Sequence, residues 1–224
     1  MSLRQEQIET KLLTNNVLNS VRIFKEDIKG LYIYGSRLWE TDDENSDLDY
    51  VVILSDSSHI WEVRKGGHYQ KESDDIDLHI LSETKYKELL EDCDEMALSI
   101  YFQEYPLIKY EYSFNINLAN LRKSFSAKAN NSYVKAKKKL QDGEIRIAYK
   151  SLYHSLRILD FGRKIAECSL TNEKIYDMTS FGENIEWFKQ CFEVEKMPWE
   201  EIHKIFKPIY NSYATEFKKL APKG

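Results

Sequence analysis

Little in this sequence bends freely, crosslinks or reaches across a bilayer. With 8 glycines and 4 prolines among 224 residues, there is no room for a long flexible linker. The 3 cysteines, Cys93, Cys168 and Cys191, stand far apart. No C-x-x-C is present and no histidine lies in zinc-ligand spacing, so neither a disulfide framework nor a structural zinc is indicated; the three read as reduced, packed thiols. No apolar run approaches the roughly 20 residues that span a membrane, and 31% of the residues are charged. A membrane helix is excluded and no membrane partner is expected. The first residues, "MSLRQEQIETKLL", lack the basic, apolar and small-residue zones of a signal peptide, so the expected location is cytoplasmic.

What is present is enough apolar residue, 42%, for a sizeable core in one large domain or two small ones. The net charge of −5 hides an asymmetry. Residues 1–120 carry twice as many acids as bases, whereas residues 121–164 form a strongly basic island. Such segregation suits a protein that holds a cation in one place and an anion in another.

Along the chain, Ile8, Leu12, Val17, Val21, Phe24 and Ile28 recur at near-helical spacing, which predicts a helix over residues 4–29 ended by Gly30. "LYIY" then starts a strand, "LDYVVIL" is a second, and "DIDLHIL" a third with strict alternation after a polar turn region, "RKGGHYQKESD". Short helices are expected at 83–91 and 94–103. Past Pro106 and "YEYSF" the period changes from 2 to 3.6, and residues 116–140, 144–167, 181–193 and 198–220 read as helices. The expected fold class is α+β: a small mixed β-sheet domain with flanking helices over residues 1–114, then an α-helical bundle over 115–224. Nothing in the sequence sets an oligomeric state.

The chemistry is concentrated in "YIYGSRLWETDDENSDLDYVVIL", residues 32–54, where six acids interrupt an apolar frame. Side chains alternate along a strand, so Asp47 and Asp49 share a face, as do Asp75, Asp77 and His79 in the third strand. If the second and third strands are neighbours, carboxylates converge; uncompensated, they would repel one another and raise each other's pKa. A divalent cation removes that cost, and Mg²⁺ binds through one or two carboxylates plus substrate phosphates. Gly35 and Ser36, at a strand end, permit close backbone approach and offer amide N–H groups and a hydroxyl to phosphate oxygens, and Arg37 adds a positive charge.

Apolar-Gly-Ser, ten residues, Asp-apolar-Asp-apolar, and then an acid between apolar residues on a separate strand resembles the DNA polymerase beta-type nucleotidyltransferase superfamily at each motif position. The resemblance implies that Gly35 and Ser36 hold a nucleoside triphosphate, that Asp47 and Asp49 bind two Mg²⁺ ions (with Mn²⁺ as a substitute), and that Asp77 completes the metal site and serves as catalytic carboxylate. Asp75 is the alternative third acid. "KANNSYVKAKKKL" and "KSLYHSLRILDFGRKIAE", with the acidic motif, look like the nucleotidyltransferases associated with RNA ligase and RNA repair, which implies RNA as an acceptor.

Within the basic island, Arg146, Lys150, His154 and Arg157 fall on one helical stripe. Lys150, His154 and Arg157 are read as nucleotide-binding, completing a phosphate pocket that faces the carboxylates, while Lys135, Lys137, Lys138 and Lys139 read as a solvated face. Three alternatives stand beside an RNA-directed enzyme. A small-molecule, antibiotic-type nucleotidyltransferase would use an acidic wall, for which Glu91, Asp92, Asp94, Glu95 and Glu104 are candidates. A protein-modifying enzyme of the antitoxin type is the second, and a non-catalytic nucleotide-binding module the third. No fused nuclease is expected, because Arg146 and His154 do not fit the helical nuclease motif.

Overall fold

A computed structural model describes residues 23–39, 41–42, 46–72, 76–171 and 197–223. The fold is α+β, and the chain divides into two compact units. A sheet unit comprises residues 1–90 and 96–114, and a helical unit comprises 91–95 and 115–224. The short stretch Glu91–Glu95 therefore belongs with the helices although it lies inside the expected first domain.

In the sheet unit, a 3-10 turn (Lys25–Asp27) leads into β1 (Ile28–Tyr34), and the short helix α1 (Gly35–Leu38) precedes β2 (Leu48–Leu54). Then come α2 (Trp61–Gly66), β3 (His68–Glu72), β4 (Ile76–Ser82), α3 (Glu83–Glu91) and α4 (Glu95–Tyr101). The sheet order is β1-β2-β4-β3. Only β2 and β4 run parallel, so the chain crosses over between them through α2 and β3, and β3 returns as an antiparallel edge strand. On one face Leu48, Tyr50 and Val52 of β2 pack with Ile76, Leu78 and Ile80 of β4, Leu31 of β1, and Ile60 and Val63 beside them. The free edge of β1 is covered where Leu31 exchanges both backbone hydrogen bonds with Ile108, at 2.8 and 3.0 Å.

Three expectations change. Residues 1–22 lie outside the described residues, but the expected helix does not reach Gly30, because β1 already begins at Ile28. Gly30 sits inside that strand beside a register irregularity. A Cβ there would stand 2.8 Å from Tyr32 Cε2 and 3.1 Å from Tyr110 Cβ, so close packing, not a helix stop, accounts for the glycine. The region read as a turn contains the end of α2 and all of β3. The helix expected at 181–193 also lies outside the described residues.

The helical unit is built on α5 (Leu118–Gln141), α6 (Ile145–Thr171) and α7 (Trp199–Leu220). Asn117 caps α5, its side-chain oxygen accepting from the amides of Ala119 and Asn120 at 3.0 and 3.1 Å. Gly143, at φ +78°, makes the left-handed turn between α5 and α6. Leu121, Phe125, Ala129 and Ala136 give α5 a buried stripe at helical spacing. Phe125 meets Phe161 of α6 and Phe217 of α7, with centroids 5.8 and 6.3 Å apart.

Gly162 of α6 lies at that junction: a Cβ would stand 2.8 Å from Phe125 Cδ1 and 3.0 Å from Phe217 Cε2. Gly162→Ala is expected to destabilise the protein by about 1–3 kcal/mol through overpacking, outweighing the roughly 1 kcal/mol by which alanine favours a helix. A urea titration should show a lowered midpoint; a raised one would contradict this packing.

Candidate active site

The site starts from strand register. Across the sheet, Tyr34 of β1 is opposite Asp49 of β2, Asp49 is opposite Asp77 of β4, and Asp77 is opposite Glu72 of β3. Directly paired residues on adjacent strands project to the same face. Asp49 and Asp77 are thus brought together as neighbours on β2 and β4, both half-buried and opposite in face to the Leu48, Tyr50 and Leu78 core. Asp47 precedes β2 by one residue and is exposed, so the strand period fixes the face of Asp49 but does not extend to Asp47. Asp75 lies outside the described residues.

Gly35 closes the site on the β1 side. It adopts φ +65°, the left-handed region. A Cβ at this position would run into the Asp49 carboxylate. The glycine is therefore required twice, for the backbone turn and for the space Asp49 occupies. Ser36 is buried, and its carbonyl accepts from the Thr41 amide at 2.9 Å. Arg37 donates to Asp42 Oδ2 at 3.3 Å and to the Ser46 carbonyl at 3.1 Å. Its guanidinium thereby braces the connection that delivers Asp47 to β2.

Sequence reasoning missed β3 and with it Gln70. The Gln70 amide nitrogen donates to both Asp77 oxygens, at 3.1 and 2.9 Å. His79 Nε2 is 3.7 Å from Asp77 Oδ2, and the His79 ring stacks on His68 at 15°. The signal was the alternation of His68, Gln70 and Glu72 along "HYQKE", which puts all three on one face.

Among the described residues, no three His, Cys, Asp or Glu side chains form a ready metal cluster. Two adjacent carboxylates beside a glycine that leaves Asp49 its space nonetheless fit Mg²⁺, a hard cation that takes one or two protein carboxylates and completes its shell with water and phosphate.

Lys150, His154 and Arg157, read as nucleotide-binding, belong to the helical unit, whereas the carboxylates belong to the sheet unit. Lys150 is exposed and His154 half-buried on α6. Arg157 departs from expectation: it is 3% exposed, and its Nη2 donates to Glu95 Oε1 at 2.8 Å. Its charge is committed inside the helical unit and is not presented to a phosphate in solution. Lys128 reaches the other Glu95 oxygen at 3.2 Å. Glu95, 1% exposed, accordingly leaves the proposed acidic wall. Burial alone would raise the Glu95 pKa, but Arg157 and Lys128 together hold it at about 2. Burial and then the Arg157 charge depress His154 to about 3. Lys135, Lys137 and Lys138 are exposed, as expected, and Lys139 pairs with Glu144 at 2.7 Å.

No family model matches the sequence, and no curated protein matches it. Among solved structures, the chain is similar to a nucleotidyltransferase-like protein from Exiguobacterium sibiricum 255-15. That likeness has 10% identity and a TM-score of 0.33, and covers 95% of this chain and 74% of the other. The reading of the site rests on its own residues.

Two outcomes are expected. Gly35→Ala should cost about 1–3 kcal/mol from the left-handed backbone alone and should displace Asp49, seen as a lowered melting temperature and a moved Asp49 carboxylate in the variant's structure; an unperturbed variant would contradict the contact. The helical unit should also lose stability in acid. His154 and Glu95 both have folded pKa values below their ordinary ones, so the unfolded chain binds more protons, and stability present above pH ~6.5 falls as pH drops toward about 3 and then 2. Denaturant titrations from pH 7 to 3 would show this, and His154→Gln should flatten the upper part of the curve.

Proposed function

We propose that the protein is a metal-dependent nucleotidyltransferase that transfers a nucleoside monophosphate from a nucleoside triphosphate to a hydroxyl, with an RNA end as acceptor. The observation that carries this reading is the in-register pair Asp49 and Asp77 on adjacent parallel strands, beside a glycine turn whose missing Cβ makes room for Asp49. The spacing of Gly35-Ser36 from Asp47 and Asp49 supports it independently.

In this reading Asp47, Asp49 and Asp77 hold Mg²⁺, with Mn²⁺ as a substitute, and Gly35 and Ser36 receive the triphosphate. When bound, the metal supplies Lewis acidity toward phosphate oxygens and lowers the pKa of a coordinated hydroxyl. The chain's own part is positional. β2 and β4 fix two carboxylates side by side, Gln70 orients the Asp77 carboxylate, and Arg37 holds the segment that presents Asp47. In the transfer, a bond forms between the acceptor oxygen and the α-phosphorus as the α–β phosphoanhydride bond breaks. The hydroxyl proton passes to a carboxylate or to solvent, and pyrophosphate leaves. RNA as acceptor is supported by the basic composition of residues 121–164.

The test is transfer of label from each of four α-³²P nucleoside triphosphates with RNA, DNA, a small-molecule acceptor or no added acceptor. Label on RNA with Mg²⁺-dependent pyrophosphate release is expected. Asp47→Ala and Asp49→Ala should each reduce release at least a thousandfold while circular dichroism stays unchanged. Full turnover in either variant would sink the assignment, and label on the protein itself would move the acceptor from RNA to protein.

A further inference from the structure

The helical unit contains a second arrangement that the transfer chemistry does not use. On α6, Arg157 Nε donates to His154 Nδ1 at 3.2 Å. A guanidinium only donates, so Nδ1 must accept, and the neutral ring carries its hydrogen on Nε2. Arg157 is itself fixed by Glu95, which also binds Lys128. The result is a histidine locked in one tautomer, a neutral N–H donor held in place from below.

Cations gather on this donor. Lys150 lies one helical turn before it on α6 and Lys135 comes from α5; both are exposed, and both charges act on His154 along with Arg157. Lys128 and Arg157 share the Glu95 carboxylate, while Lys135 and Lys150 are exposed. The positive face also extends well beyond the reach of one small anion. Lys128 and Lys135, seven residues apart, lie on one side of α5 and are separated by roughly 10 Å along its axis. That separation is longer than one phosphate group and suits neighbouring phosphates of a polynucleotide backbone. Of the aromatic residues of the same stretch, Phe125, Tyr133, Tyr153 and Phe161 are buried in the unit's interior and Tyr149 is half-buried. They offer no base-stacking platform, so recognition by this face would be of backbone and not of sequence.

We propose that the α5–α6 face centred on His154 binds the phosphate backbone of single-stranded RNA. His154 Nε2–H donates to one phosphate oxygen, Lys135 and Lys150 flank it, and Arg157 acts as a positioning residue that sets the histidine tautomer. The site stands on this geometry; the choice of RNA as the strand rests on the acceptor proposed above. The sequence reading that grouped Lys150, His154 and Arg157 is thereby resolved into two roles, two groups that touch phosphate and one that supports them.

The experiment is fluorescence anisotropy of a labelled single-stranded RNA of about 15 nucleotides, in EDTA and without triphosphate, so that binding is read apart from catalysis. Affinity is expected to fall with salt, with a log–log slope near −2 for about three phosphate contacts. Lys135→Glu with Lys150→Glu should weaken binding at least tenfold and flatten that slope. His154→Ala should weaken it several-fold, whereas His154→Gln, whose amide can place an N–H near the same point, should retain most of the affinity. Asp49→Ala should bind RNA like the wild type. Wild-type affinity in the double lysine variant would overturn the site, and tighter binding of the matching DNA would overturn the assignment to RNA. If RNA binds through this face but no nucleotide is transferred, the inference stands and the transferase reading fails.

Discussion

Parallel, in-register pairing of β2 with β4 is the constraint on which the sheet unit depends. Parallel neighbours need a crossover, and the one used here, through α2 and β3, supplies the edge strand that carries Gln70. Register places Asp49 beside Asp77; a slip of one residue would pair an acid with a core leucine and turn one carboxylate toward the apolar face. Because Leu48, Tyr50, Val52, Ile76, Leu78 and Ile80 interlock on that face, the core enforces the geometry of the acids. Packing and chemistry are two faces of the same strands.

The helical unit follows a different logic, organised around the buried carboxylate of Glu95. Glu95 would be costly in an apolar interior, and two cations offset that cost. Each of those cations comes from a different helix, Lys128 from α5 and Arg157 from α6, so the acid ties the two helices at one point. Arg157 then passes this order to His154. A residue that looked from the sequence like a ligand for an external anion is an anchor for an internal one.

The strands β1, β2 and β4, the α+β class and the helices α5, α6 and α7 were legible because period-2 and period-3.6 patterns are local. "LDYVVIL" and "DIDLHIL" announced β2 and β4 almost to the residue. β3 was not legible: as an edge strand its residues alternate only between exposed and half-buried, so "HYQKE" lacks the apolar face that marks a strand. Gly30 misled for a related reason, since a glycine that ends a helix and one that relieves crowding against Tyr32 and Tyr110 look alike until the fold brings those rings near. The site divides the same way. Spacing and period singled out Gly35 and Asp49 and left Asp75 and Asp77 as alternatives, whereas the burial of Arg157 depended on Glu95, 62 residues away, which no helical stripe can reveal. Gln70 went unseen because its strand did.

The stretch Glu91–Glu95 has a consequence for how this chain can be divided. The polypeptide passes from sheet unit to helical unit, back again, and then across once more after Phe114. Glu95 pairs with Lys128 and Arg157, both beyond position 115, and the Cys93 thiol and the Glu91 carbonyl meet Asn117 and Asn120 there too. A single scission after Phe114 would therefore not release two intact modules: the first fragment would carry five residues of the other unit, among them the buried Cys93 and Glu95, an acid stripped of both its cations. Exchange of the helical half between related chains would succeed only if Glu91–Glu95 travelled with it, so the units are separable in space but interleaved in heredity.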